Sequence, residues 1–407
     1  MKCGLLGRKL GHSYSPQIHA KLGTYSYSLF EKEPEQVEEF LKSGDFTGLN
    51  VTIPYKKAVI PYLDALSPQA QKLGAVNTIV RRNGKLIGHN TDYFGFQTMV
   101  NASGLELSGK KVLVLGSGGA SNTAVAVLKE LGAQAVVISR NGENNYSNLH
   151  LHKDAYAIVN TTPVGMYPNT GVSPVDLRLF PHIQGVLDVI YNPAWTQLLL
   201  DAQQLGIRAI NGLIMLVAQA KESAEWFAEV PIDNAKIRQI HSELSARMQN
   251  IVLIGMPGCG KTTIGQHLAN TLSRRFVDAD EKIIELAGKS IPDIFSQDGP
   301  AAFRLWETKV LEELGKQSGL VIATGGGCVT QPRNYPLLHH NGIIFWIQRE
   351  IQALPVEGRP LSVGADLAEM YRIRQPMYQQ FSDYIVANDT FPNAAAEKIC
   401  AILEMIT

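Results

Sequence analysis

The chain has 407 residues, 45% of them hydrophobic, with 37 basic and 37 acidic side chains and a formal net charge of zero. That length exceeds one ordinary domain, and the balanced charge gives no support to a nucleic-acid or membrane-surface partner. No apolar run is long enough to span a bilayer and the start, MKCGLLGRKL, lacks the features of a secretory signal. A cytoplasmic protein acting on small molecules is expected. The four cysteines, Cys3, Cys259, Cys328 and Cys400, follow no metal-ligand or redox spacing, which predicts free thiols without disulfide or structural zinc.

Apolar strand-like runs alternate with helical patterns almost throughout: GLNVTIPY, KVLVLGSG, AQAVVISR, AYAIVNTT, GVLDVIY, NIVLIGMP, GLVIATGG and GIIFWIQ. This order predicts α/β units with parallel sheets covered by helices. In the first hundred residues, GHSYSP groups Ser13 and Ser15 on one side of an extended stretch, two hydroxyls suited to an anion's oxygens. GLNVTIPYKK ends a strand with Thr52 and Lys56, and GHNTDYFG presents Asn90, Thr91 and Asp92. A lysine and an aspartate in one polar pocket can share a proton and lend it to a carbonyl oxygen as hydride reaches the carbon. Spacing alone does not show that the two meet.

The run VLVLGSGGASNTAVAVL reads as strand, glycine turn and helix, so a dinucleotide pyrophosphate can sit on the helix N-terminus. The pattern is G-S-G-G-A-S instead of G-x-G-x-x-G, and a purely structural turn remains an alternative. The next strand ends at VVISRN, where Arg140 replaces the acidic residue that would bind an NAD ribose; a cation there favours the 2′-phosphate of NADP. Ser117 and Ser139 are compatible with phosphate contacts. A helix is predicted from about Asp233 to Met248, running almost directly into NIVLIG, which sets a domain boundary near Gln249.

GMPGCGKT, from Gly255, fits G-x-x-x-x-G-K-[ST] between a strand and a helix, the context that makes a phosphate loop believable. Backbone N–H groups around Gly258 and Gly260 form an anion cradle, Lys261 reaches the β/γ-phosphate oxygens of ATP, and the Thr262 hydroxyl, followed by Thr263, ligates Mg²⁺. FVDADEKI places Asp278 and Asp280 at the end of the next strand, where period-2 geometry sends both toward the loop. Further on, AAFRLWE spaces Arg304 and Glu307 one helical turn apart, VIATGGGCV offers three glycines for close backbone approach, and EGRPLSVG and YRIRQPMY supply Arg359 and Arg374. In this order after a phosphate loop, these features point to a small phosphotransferase.

Residues 250 to 407 resemble shikimate kinase, through GMPGCGKTT, D-A-D at 278 to 280, SIPDIF…FR…E ending at Glu307, GGG at 325 to 327, GRPL at 358 to 361 and R-Q-P-M-Y from Arg374. The resemblance implies that Asp280 holds shikimate hydroxyls, Arg304 and Arg374 its carboxylate, Gly326 the ring side, Arg359 the ATP phosphates, and Asp278 the Mg²⁺ shell. The stretch from IIFWIQ to GRPL is several residues shorter than in that family.

Residues 1 to about 245 resemble shikimate dehydrogenase. The resemblance rests on G-H-S-Y-S-P at 11 to 16, N-V-T-I-P-Y-K at 50 to 56, G-A-V-N-T at 74 to 78 and N-T-D at 90 to 92. It continues through G-S-G-G-A-S at 116 to 121, N-T-T-P-V-G-M at 160 to 166 and N-G-L-I-M-L-V-A-Q at 211 to 219. It implies that Ser13, Ser15, Thr52, Asn77, Asp92, Tyr191 and Gln219 bind the shikimate skeleton and that Lys56 donates the proton. Gly116, Gly118, Gly119 and Ala120 then hold the cofactor phosphates, beside Ser117, and Gly212 approaches the nicotinamide. The family's Asn-Arg-Thr cofactor run is Ser139-Arg140-Asn141 here.

The expected architecture is α/β throughout: a substrate lobe (1–100, completed by 212–248), a Rossmann-like NADP-binding lobe (101–211) and a P-loop kinase domain with a parallel sheet (249–407). The two resemblances together imply NADPH-dependent reduction of 3-dehydroshikimate and ATP- and Mg²⁺-dependent phosphorylation of the product. Quinate as the first half's substrate, or one half acting as a non-catalytic module, are the alternatives; oligomeric state is not encoded legibly.

Overall fold

The computed structural model describes residues 1–11, 13–354, 367–389 and 391–406. The chain divides into two compact units. The first comprises Met1–Gly165, Val172–Tyr191 and Asp201–Ser242; the second comprises Met166–Gly171, Asn192–Leu200 and Glu243–Thr407.

The first unit holds two sheets. One has six strands in the order Ser26–Glu31, Lys2–Gly7, Gly48–Val51, Thr78–Arg82, Lys85–His89 and Ala65–Leu66. Its first three strands are parallel, but Thr78–Arg82 runs antiparallel to both of its neighbours. The expectation of parallel sheets alone is therefore corrected here. The cause is local: Asn83 and Gly84 both take positive φ, 51° and 77°, and Arg82 pairs with Lys85 across them. An Asn-Gly pair with both residues left-handed twists the same way as the flanking strands and so closes a two-residue hairpin.

The other sheet of this unit is wholly parallel, in the order Arg208–Ile210, Gly185–Asp188, Ala157–Asn160, Lys111–Leu115, Gln134–Ile138. Val112 to Leu115 and Ala157 to Val159 are fully buried, as continuous apolar strands covered on both faces must be.

The second unit has one parallel sheet, ordered Arg275–Asp278, Leu320–Ala323, Asn250–Ile254, Gly342–Gln348, Tyr384–Ala387. The helix Ala235–Met248 leads into its central strand with Gln249 alone between them. Every residue of that strand is buried, and Ile251 to Ile254 form the middle of the unit's apolar core with Ile322, Ile344 and Phe345. Because all five strands point one way, their C-terminal ends share one edge. That edge gathers Asp278, the loop from Gly255, the glycines from Gly325, and Arg349. No helix among the described residues is long and apolar enough to cross a membrane.

Candidate active sites

In the first unit Lys56 and Asp92 do meet. Lys56 lies on the four-residue helix Tyr55–Ala58, whose Tyr55 N–H is held by the Thr52 carbonyl; Asp92 opens the helix Asp92–Ser103, its N–H donated to Asn90 Oδ1 at 3.0 Å. Lys56 Nζ donates to Asp92 Oδ2 at 2.6 Å, and both side chains are largely shielded. Asn77 Nδ2 donates to the other Asp92 oxygen at 2.9 Å, and Gln219 Oε1 accepts from Asn77 and from the Thr91 hydroxyl at 3.3 Å each. Behind them, Thr91, Thr78 and Ser223 share their hydroxyls, and Asn50 Nδ2 donates to Ser223 Oγ at 2.8 Å. Asn50 in turn accepts from Tyr27, which is bonded to Ser15. Polar groups at such depth are retained in one geometry because each satisfies the next. Ser13 is tied to this group through Ser15, whose N–H its Oγ accepts at 3.2 Å, whereas among the described residues Thr52 and Tyr191 stand outside it, the Tyr191 ring meeting Tyr14 edge-on. Burial raises the Tyr191 phenol above its ordinary value, which keeps it a donor.

The dinucleotide turn follows the strand Lys111–Leu115. Gly116 has φ 106°, and a Cβ there would lie 2.9 Å from Thr161 Oγ1, so only glycine fits the turn. Gly118 and Gly119, at the start of the helix Gly119–Glu130, would carry a Cβ into open space. Beside Ser117 and Ala120 they leave room for close approach to the helix N-terminus, and the site fits a dinucleotide pyrophosphate. Arg140 is exposed two residues past the strand Gln134–Ile138 and has no acidic partner among the described residues; its charge reaches Tyr146. Gly212 is forced by packing as well, because a Cβ on it would lie 2.0 Å from the Val189 carbonyl oxygen.

In the second unit the phosphate loop, the glycine triplet and the arginines line one cavity of about 660 Å³. Gly258 and Gly260 both have positive φ, and the helix Lys261–Thr271 begins at the end of the loop with Thr262 and Thr263 in its first turn. Lys261 is buried and folded back, donating to the carbonyls of Gly255 at 2.9 Å and Met256 at 3.0 Å. Thr262 Oγ1 donates to Asp278 Oδ2 at 2.8 Å, a pair of hard oxygens that fits Mg²⁺.

Asp280 requires a correction. The strand stops at Asp278, which caps the helix Ala279–Ala287 by accepting from the Asp280 N–H at 3.0 Å, so helical geometry aims Asp280 into the cavity, not the alternation of a strand. Asp280 Oδ1 is buried without a partner. Burial first, then the Asp278 charge, pushes this carboxyl up to about 6, against the pull of Lys261 and Arg304.

Arg304 donates to Glu307 Oε2 at 2.6 Å along the helix Gly299–Gly315, and Glu307 Oε1 is a second buried oxygen without a partner. Burial pushes Glu307 up to about 7 despite that arginine. The three glycines admit three different neighbours. A Cβ on Gly325 would sit 2.7 Å from Asp280 Oδ1 and 3.0 Å from Glu307 Oε1, one on Gly326 would meet Pro257 of the phosphate loop, and one on Gly327 would enter the Arg304 guanidinium. Arg374, on the helix Leu367–Phe381, donates to the Gly326 carbonyl at 3.2 Å. Arg359 lies outside the described residues.

Sequence reading gave no role to three residues that line or brace this cavity. Glu307 holds Arg304; its i,i+3 spacing was visible, its burial was not. Arg349 lines the cavity one residue past the strand Gly342–Gln348, and the rule that ligands gather at parallel-strand C-termini is the signal that finds it. Tyr378 belongs to the R-Q-P-M-Y run and is wholly buried.

Comparison with known proteins agrees with both halves. The shikimate dehydrogenase substrate binding domain family matches residues 5–79 and the shikimate kinase family matches residues 257–404. The NADP(+) shikimate dehydrogenase of Clostridium perfringens SM101 is 36% identical over 266 residues, 60% of this chain and 98% of that protein. The crystal structure of a chorismate mutase/shikimate 5-dehydrogenase fusion protein from Clostridium acetobutylicum is 38% identical with a TM-score of 0.57, covering 60% of this chain and 96% of that one. Shikimate 5-dehydrogenase from Thermus thermophilus, solved with NADP(H) and shikimate, is 31% identical with a TM-score of 0.55, covering 60% and 99%. With a site of matching chemistry in each half, the chain belongs to the shikimate dehydrogenase family and carries a shikimate kinase domain fused behind it.

Proposed function

We propose the following division of labour within a bifunctional shikimate-pathway enzyme that reduces 3-dehydroshikimate with NADPH and phosphorylates shikimate with ATP. In the first site Ser13, Ser15, Thr52, Asn77, Tyr191 and Gln219 hold the ring acid. Lys56 gives its proton to the C3 oxygen, and Asp92 at 2.6 Å steadies the lysine and balances its charge while Asn77 fixes the carboxylate. The cofactor, when bound, supplies the hydride; Gly116 to Ala120 hold its pyrophosphate, Arg140 its 2′-phosphate, and Gly212 faces its nicotinamide.

In the second site Gly258, Gly260, Lys261, Thr262 and Thr263 hold the ATP phosphates, with Arg359 contributing from outside the described residues. Thr262 and Asp278 would hold Mg²⁺, which neutralises phosphate charge when present. Arg304 and Arg374 take the carboxylate of shikimate, Gly326 lies along its ring, and Asp280 accepts a hydrogen bond from the C3 hydroxyl. The observation that carries this assignment is the Asp280 carboxyl lining a cavity that also holds the phosphate loop and both arginines. The hydroxyl made by the first reaction is then the nucleophile of the second. The protein is read as acting on small molecules in the cytoplasm, without nucleic acid or membrane, from its balanced charge. The test is two assays on the purified chain, NADPH oxidation with 3-dehydroshikimate and ADP release with shikimate. Absence of either activity removes the corresponding half of the assignment.

A further inference from the structure

The Gly326 carbonyl receives two donors from one helix. Arg374 Nη1 reaches it at 3.2 Å, and the phenol of Tyr378, one helical turn further on, donates to the same oxygen. Tyr378 is fully buried, its ring stacked on Trp346 at a centroid distance of 5.7 Å, and its oxygen lies 3.8 Å from Met256 Sδ at the start of the phosphate loop. The acceptor is half-buried, and either donor alone would satisfy it. Arg374 is also the group read above as taking the substrate carboxylate, a reading on which the present step rests. To turn toward a carboxylate the guanidinium must weaken its bond to Gly326, and the half-buried carbonyl loses a donor when it does.

We propose that Tyr378 is a positioning residue of the kinase site: its phenol keeps the Gly326 carbonyl satisfied so that Arg374 is free to leave it for the carboxylate of shikimate. Burial holds the phenol well above its ordinary value, so it remains a donor across the working pH range. Tyr378 does not line the cavity, so its effect passes through Arg374.

The test is a double-mutant cycle in the full-length chain, read as shikimate KM, kcat and ATP KM. Tyr378→Phe keeps the stacked ring and removes only the donor; Arg374 is then the sole partner of Gly326. Shikimate KM should rise about 3- to 10-fold, the range set by the loss of one hydrogen bond to a half-buried acceptor, with ATP KM unchanged and kcat within about twofold. In an Arg374→Ala background the same change should raise shikimate KM less than about twofold, since no guanidinium remains to be released. If Arg374→Ala alone leaves shikimate KM unchanged, the carboxylate role of Arg374 fails and this proposal with it. If Arg374→Ala raises KM but Tyr378→Phe acts equally in both backgrounds, Tyr378 is merely structural and only this proposal is overturned. Circular dichroism reports folding, and should the phenylalanine variant not fold, Tyr378→Met fills similar space without a donor and takes its place.

Discussion

Shikimate binding to the kinase site should depend on pH in the range where ordinary aspartates are already fully charged. Asp280 is pushed up to about 6, so roughly a tenth of it is ionised at pH 5 and about nine-tenths at pH 7, whereas an ordinary aspartate is about nine-tenths ionised at pH 5. If the carboxylate is the form that accepts the C3 hydroxyl, shikimate affinity measured calorimetrically without nucleotide should fall about tenfold from its plateau as pH drops from 8 to 5. Asp280→Asn should bind more weakly and lose that acid limb, while Glu307→Gln should keep it. The stability effect has the opposite direction. Because burial raises both Asp280 and Glu307, the folded chain retains protons between about pH 4 and 7 that the unfolded chain has released. Their contribution is fully present below about pH 4 and is lost as pH rises through 6 and 7. Asp280→Asn should therefore raise the unfolding midpoint of the kinase unit at pH 8 while harming binding. Affinity that is flat between pH 5 and 8 in the unmodified protein, or an acid limb that survives in Asp280→Asn, would refute the reasoning.

Three further substitutions separate the remaining roles. Lys56→Ala should lower dehydrogenase turnover by about 10²- to 10⁴-fold with NADPH affinity nearly intact, as expected for loss of a positioned proton donor; full turnover in this variant removes Lys56 from the reaction. Arg140→Ala should raise KM for NADPH much more than for NADH, because only the former offers a 2′-phosphate to a guanidinium, and an equal loss for both would make Arg140 structural. Arg349→Ala should raise KM for ATP several-fold and spare shikimate. The strand that precedes Arg349 lies between the phosphate-loop strand and the sheet edge, on the side away from Asp278 and the glycine triplet, and a change confined to shikimate KM would reverse that placement.

The parts of the fold that the sequence made legible are those in which one residue type has one physical use. Continuous apolar runs gave the central strands of both parallel sheets because a strand covered on both faces tolerates nothing else; Val112 to Leu115 and Ile251 to Ile254 are the clearest cases. Edge strands escaped. Ser26–Glu31 sits at a sheet edge with polar residues along its length, and Tyr384–Ala387, at the edge of the second unit's sheet, is apolar but only four residues long. The hairpin at Asn83-Gly84 was overlooked although its turn pair is a strong local signal, because the surrounding alternation of strands and helices favoured parallel pairing.

The sites divide along the same physical line. A phosphate loop is legible because consecutive residues build it; Lys56 with Asp92 and Asp280 with Glu307 are not, because their partners arrive from distant parts of the chain. The Asp278–Asp280 pair shows how a correct destination can follow from the wrong local structure. Both residues line the cavity, but a helix starting at Ala279 turns Asp280 inward, and the cap that starts the helix is Asp278 itself. The glycine triplet makes the strongest case for structure over pattern. Three identical residues in a row suggest one shared purpose, yet Gly325 makes room for two carboxylates, Gly326 for Pro257 and Gly327 for the Arg304 guanidinium. Each glycine is fixed by a different neighbour from a different element. A methyl group at 325, 326 or 327 would therefore press on Asp280 and Glu307, on Pro257 of the phosphate loop, or on the Arg304 guanidinium respectively, so each glycine is required by a different wall of the same cavity.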